Sequence, residues 1–363
     1  MITEITVDDL PALEAGSQLT CSSAGSTHFD GALANIAELL RERGPVRMVG
    51  LDELDGDALC VAIGAIGGFG PMLELPPSGD EAVAAVRALE ARLGRRVDAI
   101  VSLNASGPNA FAPVAAASAL GLPLVDCDGM GRVLPLVSQT TYALAGLPIG
   151  PLAAVSLAGD VMVLDTSTAR SELLLRSAMQ AAGGFMLCAT YPSTVDELAK
   201  CAIRGSTSRV VEAGRLLLGA PDRATLLAGL ASVAGARVLG GGRVVELGHA
   251  TRTVGARQYP AAPTSVVVAE PGPAGRMIRL EGQSEIFLAV VDGVVSAAVP
   301  DVLCLLDQRE PHIVGLERVA VGNDVDVLVM PADPMWHSGA GLALAGPRAF
   351  GFPVEHPREE GAR

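Results

Sequence analysis

Short apolar runs alternate with helical patterns through the first 165 residues, and this alternation limits the chain to few folds. The apolar runs that we interpret as strands cover residues 46–49, 59–66, 98–103 and 122–125. The helical patterns that alternate with these runs cover residues 32–43, 80–92 and 110–120. Strands that alternate with helices pair in parallel through right-handed crossovers. We therefore predict an α/β N-terminal domain with a mostly parallel sheet.

The hydrophobic period changes in the second half of the chain. A mainly helical pattern runs from Ser171 to about Ala234, and alternation with a period of two follows Gly240. Asp292-Gly293 stands between two apolar runs, which is typical of a two-residue hairpin loop. We predict a C-terminal α+β domain rich in β-strands that begins with a helical segment. The predicted domains cover residues 1–170 and 171–363.

Composition argues against several classes of partner. The formal net charge is −14, and an acidic surface without a basic stripe argues against nucleic acid and anionic membranes. No apolar run approaches the ~18 residues of a membrane helix, and residues 1–10 lack the order of a signal peptide. We therefore expect a cytoplasmic protein. The sequence leaves undecided whether it forms a homo-oligomer. Its six cysteines show no C-x-x-C pair, so we expect free thiols.

Polar, glycine-containing loops follow three of the predicted strands, at residues 67–71, 104–109 and 126–132. In an open α/β sheet, ligands bind at the carboxyl ends of the strands. We expect these loops to meet at one edge of the sheet and to form a cleft for a small molecule. The first loop lacks the spacing G-x-G-x-x-G, so we expect no nucleotide cofactor.

The third loop carries two carboxylates that suit acid–base chemistry. Asp126 and Asp128 share one face if the strand continues that far. Paired carboxylates in a cleft tend to have separated pKa values, which suits one as a base and the other as an acid. The alternative is that Asp126 caps the following turn and Asp128 pairs with Arg132.

Neutral and basic groups near these carboxylates could hold a ligand. Asn109, Arg132 or the backbone amides of residues 129–131 could donate to a developing oxyanion. Hydrogen-bonding side chains that follow closely suit the edge of an imide. The residues that we expect to bind substrate are Asn109, Gly129, Met130, Arg132, Gln139 and Thr140.

A thiol and an imidazole lie seven residues apart near the N-terminus, at Cys21 and His28. They could bind zinc, with Asp128 as a further ligand, or act as nucleophile and base. The alternative is a loop rich in serine and glycine with an incidental histidine. For the later histidines, including His337 and His356, we expect surface or structural roles.

Four strings of residues carry a resemblance over most of the chain. They are Pro123-Leu-Val-Asp-Cys-Asp-Gly-Met-Gly-Arg132, Cys201-Ala-Ile-Arg-Gly-Ser-Thr207, Val299-Pro-Asp-Val-Leu-Cys-Leu-Leu-Asp307 and Gly346-Pro-Arg-Ala-Phe-Gly351. Together they resemble the S-methyl thiohydantoin desulfurase family, from about residue 8 to 356. The resemblance implies hydrolytic loss of a sulfur substituent from a thiohydantoin ring, with zinc as the cofactor. Members are similar to companions of hydantoinase and oxoprolinase systems, which act on cyclic amides.

The chain departs from that family at two positions that are often acidic. Asn104 stands where relatives often carry glutamate, and Leu136 ends a string that often reads Ala-Phe-Pro-Glu. We predict a hydrolase-like enzyme that acts on a small cyclic amide or thiohydantoin-type ring. Two alternatives stay open, which are a non-catalytic binding or assembly partner of a hydantoinase-like enzyme, and a diverged enzyme of specialised metabolism that closes such a ring.

Overall fold

The computed structural model describes residues 2–22, 30–249, 263–283 and 285–357. These residues form two compact units. The first unit contains the described residues up to Ser17 and those from Asp30 to Val211, and the second contains the rest. The division at Val211 differs from the predicted boundary near residue 170, because a strand beyond residue 180 belongs to the sheet of the first unit.

A mixed sheet with helices forms the first unit. Its strands are β1 (Glu4–Ile5), β2 (Val46–Val49), β3 (Leu59–Gly67), β4 (Ala99–Ser102), β5 (Leu124–Asp128), β6 (Leu152–Ser156), β7 (Val161–Leu164), β8 (Phe185–Thr194) and β9 (Ile203–Arg204). Their order is β1-β2-β5-β4-β3-β8-β6-β7, with β9 paired to β5. The central strands β2, β5, β4 and β3 are parallel, and the added strands are antiparallel. The predicted α/β class is confirmed.

Helices cover this sheet and continue into the second unit. They are α1 (Leu10–Leu19), α2 (Asp30–Arg43), α3 (Phe69–Glu74), α4 (Asp80–Leu93), α5 (Ala112–Leu120), α6 (Thr141–Leu144), α7 (Thr168–Ala181), α8 (Val195–Leu198), α9 (Ser206–Gly219), α10 (Arg223–Ala234) and α11 (Gly339–Ala345). On α4 the buried positions Ala82, Val86 and Leu89 recur at helical spacing and join the main core of the first unit. The helix ends at Gly94, whose φ of 66° is the left-handed cap that glycine adopts without strain.

The prediction of a mainly helical stretch after Ser171 is wrong at β8. Two glycines with positive φ, Gly183 and Gly184, follow α7, and the chain then enters a ten-residue strand. Strand β8 pairs antiparallel with both β3 and β6, so most of its residues are buried on both faces. Such a strand shows no alternation of polar and apolar residues, and its local pattern cannot be told from that of a buried helix.

An antiparallel sheet forms most of the second unit. Its strands are β10 (Arg237–Gly248), β11 (Ser265–Ala269), β12 (Met277–Gly282), β13 (Ile286–Val291), β14 (Val294–Ala298), β15 (Val302–Asp307), β16 (Ile313–Val314) and β17 (Asp324–Met330). Their order is β14-β13-β12-β11-β10-β17-β15-β16. The predicted hairpin at Asp292-Gly293 is confirmed, since both residues have positive φ and Val291 pairs with Val294. No helix in the described part of the chain is both long and apolar enough to cross a membrane.

Candidate functional site

The parallel strands β3, β4 and β5 bring their carboxyl-terminal loops together in the first unit. Leu103, at the end of β4, donates its amide to Ile63 of β3 at 2.9 Å. The carbonyl of Leu103 in turn accepts from the amide of Gly129 at 3.2 Å. The loop that follows β4 is thereby held between its two neighbours, at the edge where ligands bind in open α/β sheets.

Strand β5 does not end where the apolar run ends. The predicted end at Val125 is wrong, because β5 continues through Asp126 to Asp128. The short strand β9 provides the reason, since it pairs antiparallel with β5 at Cys127 and Asp128. Strand β9 lies within the string 201–207, so two of the strings that carry the family resemblance form one ladder.

Asp126 connects β5 to the first turn of α9 through hydrogen bonds. Its Oδ1 accepts the backbone amides of Thr207 at 2.9 Å and Ser208 at 3.1 Å. A carboxylate at this position satisfies amides that have no partner within the helix and faces the positive end of the helix dipole. Oδ2 of Asp126 is buried and has no hydrogen-bond partner among the described residues. The predicted cap role of Asp126 therefore applies to α9 rather than to the turn after β5.

Three backbone amides surround the carboxylate of Asp128. Oδ1 accepts from Met130 at 3.2 Å and Gly131 at 2.9 Å, and Oδ2 accepts from Ala105 at 2.9 Å. Burial raises the pKa of Asp128 from 3.8 to about 6, although these hydrogen bonds and the charge of Arg209 oppose the rise. Because the folded state favours the protonated form, this group contributes stability below its unfolded pKa of 3.8, which is lost as pH rises through about 6.

Three of the predicted substrate-binding residues around this loop form hydrogen bonds within the protein. Oδ1 of Asn109 accepts the amide of Ala65 in β3. The sulfur of Met130 accepts from Asn104 at 3.3 Å, and Nε of Arg132 donates to the carbonyl of Val133 at 3.2 Å. The loop 104–109 thus contacts both β3 and the segment after β5.

Gln139 and Thr140 form hydrogen bonds within the segment 136–143, which follows this loop. Oε1 of Gln139 accepts from the amide of Leu136, and Oγ1 of Thr140 accepts from Ala143 as the cap of α6. Gly129 faces the ring of Tyr142, so the space beside its Cα is filled by protein rather than left for a ligand.

Gly129→Ala should lower the free energy of unfolding by about 1–3 kcal/mol, the usual cost of overpacking. A Cβ on Gly129 would lie 2.6 Å from Cε2 of Tyr142, and the buried ring has no solvent to move into. Gly68→Ala is the matched control, because Gly68 has φ −90° and no atom near its Cβ position. Urea denaturation of both variants checks the prediction, and equal stability would contradict it.

The edge of the sheet is closed rather than open. The exposed fractions are 3% for Asp126, 1% for Asp128, 8% for Asn109 and 1% for Arg132. The amides of Met130 and Gly131 point at Asp128, so they are occupied rather than directed at an oxyanion as predicted. The predicted cleft is closed in this structure, because β9, Tyr142 and the loop after β4 fill the rim.

The predicted thiol–imidazole pair at Cys21 and His28 stays a prediction. Cys21 is buried and belongs to the second unit. His28 lies outside the described residues. None of the six cysteines forms a disulfide bond in the structure. Burial raises the pKa of Cys127 well above its ordinary value, so that thiol stays protonated at neutral pH.

A second cluster of chemistry-bearing side chains lies in the second unit. Nε2 of His337 is 2.8 Å from Oδ1 of Asp301, and Nε2 of His356 is 3.1 Å from Oδ2. Burial by itself would raise the pKa of Asp301, but the hydrogen bonds to both histidines hold it below its usual range. Among the described residues, this is the group of side chains that could hold a metal ion, and it includes neither Cys21 nor Asp128.

Sequence reasoning missed two parts of these sites. The contact of Asp126 with Thr207 and Ser208 was not foreseen, although the string 201–207 was a signal that this segment matters. The convergence of His337 and His356 on one carboxylate carries no sequence signal, because the residues are far apart in the chain.

These features define an α/β protein with two buried carboxylates on one strand and a separate antiparallel sheet. A crystal structure of a protein from Chromobacterium violaceum has the same fold, with a TM-score of 0.81 at 23% identity over 98% of this chain and 99% of that chain. Two family models match in succession, the S-Me-THD-like N-terminal domain at residues 8–166 and the C-terminal domain at 166–358. The chain therefore belongs to the S-methyl thiohydantoin desulfurase-like family. No curated protein matches it.

Proposed function

We propose that the first unit binds a small cyclic amide or thiohydantoin-type ring at the ends of β4 and β5 and hydrolyses it. The observation that carries the proposal is the raised pKa of Asp128, about 6. A carboxylate with a pKa just below neutral is mostly ionised at pH 7 and is basic enough to take a proton from an attacking water. In this reaction the water oxygen bonds to a ring carbon, and Asp128 receives its proton. The bond from that carbon to the ring nitrogen of a cyclic amide, or to the sulfur of an S-methyl thiohydantoin, then breaks, and Asp128 returns the proton to the leaving nitrogen or sulfur.

Asp126 would orient the ring through its second oxygen. Oδ1 already serves α9, whereas the buried Oδ2 has no partner among the described residues. A buried acceptor without a donor costs free energy, which an N–H group of a cyclic amide would recover by donating to it. This need for a donor favours a ring that carries N–H over an anionic ligand.

Neutral and positive groups near the loops after β4 and β5 would bind the ring oxygen. The hydrogen bond from Ala65 fixes Oδ1 of Asn109, which leaves Nδ2 to donate to a ring carbonyl. The positive charge of Arg209, at the start of α9, lowers the pKa of Asp128 and would also favour negative charge that develops on the ring. Arg132 is buried in the loop after β5 and would help to position the ring.

An apolar pocket of the first unit is lined in part by the loop 104–109, through Pro108. Its lining includes Ala65, Pro108, Phe111 and Phe185. A ring substituent without charge would bury apolar surface there, so the proposed substrate carries an aliphatic or aromatic side group.

The burial of the carboxylates sets a condition on this reaction. The loop after β5 covers Asp128 and must shift before a ring can reach it. The oxygens of Asp128 already accept three amides, so the proposed reaction uses Asp128 as a base and not as a metal ligand.

Turnover by the wild-type protein should fall about tenfold per pH unit below pH 6, because protonation of Asp128 (pKa about 6) removes the base. The measurement is the pH dependence of kcat/KM with an S-methyl thiohydantoin and with a hydantoin of the same side group. A profile that stays flat between pH 5 and about 8 would exclude Asp128 as the base.

The burial of the whole rim favours one alternative, a non-catalytic binding or assembly partner of a hydantoinase-like enzyme. Such a protein would not convert the rings at any pH, whether or not it binds them. Binding measured by calorimetry together with product analysis separates this alternative from the enzyme.

A further inference from the structure

Three side chains from separate segments of the second unit converge on one point. Asp301 lies in the turn between β14 and β15, His337 ends the short helix Pro334–His337, and His356 follows α11. Their three ligand atoms all lie within 4.8 Å of one another. We infer that Asp301, His337 and His356 bind one divalent transition-metal ion, for which zinc is the first expectation.

The spacing of the donor atoms suits such an ion. Zinc bonds to nitrogen and oxygen are close to 2 Å, which places the ligands of a tetrahedral site roughly 3.3 Å apart. The two Nε2–carboxylate distances, 2.8 Å for His337 and 3.1 Å for His356, are shorter by only a few tenths of an ångström. Small outward shifts of the imidazoles would therefore admit the ion.

The backbone holds the donors in place. Oδ1 of Asp301 accepts the amide of Ala332 at 2.9 Å, and the amide of Asp301 donates to Ala298 at 3.1 Å. Trp336, the neighbour of His337, has no exposed surface, so the short helix is anchored in the interior. Donors that are positioned before the ion arrives lose little conformational entropy on binding.

The chemistry of the donors narrows the class of ion. Two imidazoles and one carboxylate suit zinc, iron(II), cobalt(II) or manganese(II), whereas calcium and magnesium prefer all-oxygen sites. Three protein ligands leave at least one coordination position for water or a small molecule. Solvent can reach that position, because the side chain of His337 is 36% exposed while those of Asp301 and His356 are 14% and 12% exposed.

This site does not depend on the proposed ring hydrolysis. Its residues belong to the second unit, and the carboxylates assigned to that reaction belong to the first. Binding of an ion can therefore be measured with no substrate present, and failure of either proposal leaves the other standing.

The test is calorimetric titration of the chelator-treated full chain with zinc chloride. The wild-type protein should bind about one zinc per chain, and Asp301→Asn, His337→Ala and His356→Ala should each weaken binding at least about 100-fold, since even outer-shell partners of a metal matter 10–100-fold. His312→Ala, which changes an exposed histidine of the same unit, should bind as the wild type does. Cobalt(II) added to the wild-type chain should give the intense visible absorption of a low-symmetry site.

Two results would overturn the assignment. One is a wild-type chain that binds no zinc and gives no cobalt spectrum. The other is binding that persists unchanged in His356→Ala and Asp301→Asn. Circular dichroism of each variant establishes that it is folded, and His356→Gln, which keeps a polar side chain of similar reach, replaces any variant that is not.

Discussion

Asparagine in place of Asp128 should lower turnover of a thiohydantoin-type ring at least about 100-fold, the usual scale for loss of a general base. The amide cannot accept a proton from water at neutral pH, so the pH step near 6 should disappear as well. The measurement is kcat of Asp128→Asn and wild type at pH 8. Asp52→Asn, which changes an exposed aspartate of the same unit, is the matched control and should leave kcat unchanged.

The folded state of this variant needs its own check. Both oxygens of Asp128 accept backbone amides, and an amide group at that position would direct its NH2 at one of those donors. Thermal unfolding followed by circular dichroism shows whether Asp128→Asn is folded. Full turnover by a folded variant would remove Asp128 from the mechanism, and the wild-type pH profile gives an answer that needs no variant.

Asp126→Ala should lower the free energy of unfolding by about 3–6 kcal/mol, because hydrogen bonds to a charged group contribute roughly 1.5–3 kcal/mol each and this variant loses two of them. The amides of Thr207 and Ser208 would then be buried without their acceptor, at the end of α9 where the helix dipole is positive. Urea denaturation measures the change. A difference below about 0.5 kcal/mol, the range of ordinary surface substitutions, would contradict this role.

Asp126→Asn separates the two oxygens of the same side chain. It keeps an acceptor for Thr207 and Ser208, so most of the stability should remain. The NH2 group then replaces Oδ2, which the proposal assigns to a ring N–H, and the KM for the ring should rise about tenfold, the effect of one lost hydrogen bond of ~1.4 kcal/mol. An unchanged KM would limit Asp126 to its structural contact.

Elements set by local patterns could be predicted closely. The strand at 46–49 has the predicted bounds, and α4 begins at the predicted residue, Asp80. Both depend on short-range signals, which are a brief apolar run and a turn that leads into an amphipathic helix. The hairpin at Asp292-Gly293 is of the same kind.

Elements set by distant partners were missed. Strand β8 is a strand because β3 and β6 lie on either side of it, and β5 reaches Asp128 because β9 pairs with it. These partners are separated by many residues, so no window of the sequence contains the pairing. The exposure of the site depends on the same contacts, which is why a cleft was expected where the structure is closed.

The candidate site residues also divide into those that local patterns predict and those that depend on distant contacts. The positions of Asp126 and Asp128 at the end of a parallel strand follow from chain order and apolar pattern. The convergence of His337 and His356 on Asp301 depends on turns in three separate segments, and residue spacing says nothing about it.

The first sheet contains strands from both sides of residue 166, which limits how this chain can be divided into fragments. The N-terminal family model ends there, yet β8 and β9 lie beyond it and complete the first sheet. A fragment cut at that point would leave the hydrogen-bonding groups of β3 and β5 without partners along one edge, which invites pairing with other copies. The two halves recognised by sequence are thus not interchangeable modules, and grafting one onto a foreign partner would have to carry residues up to about Val211 with it.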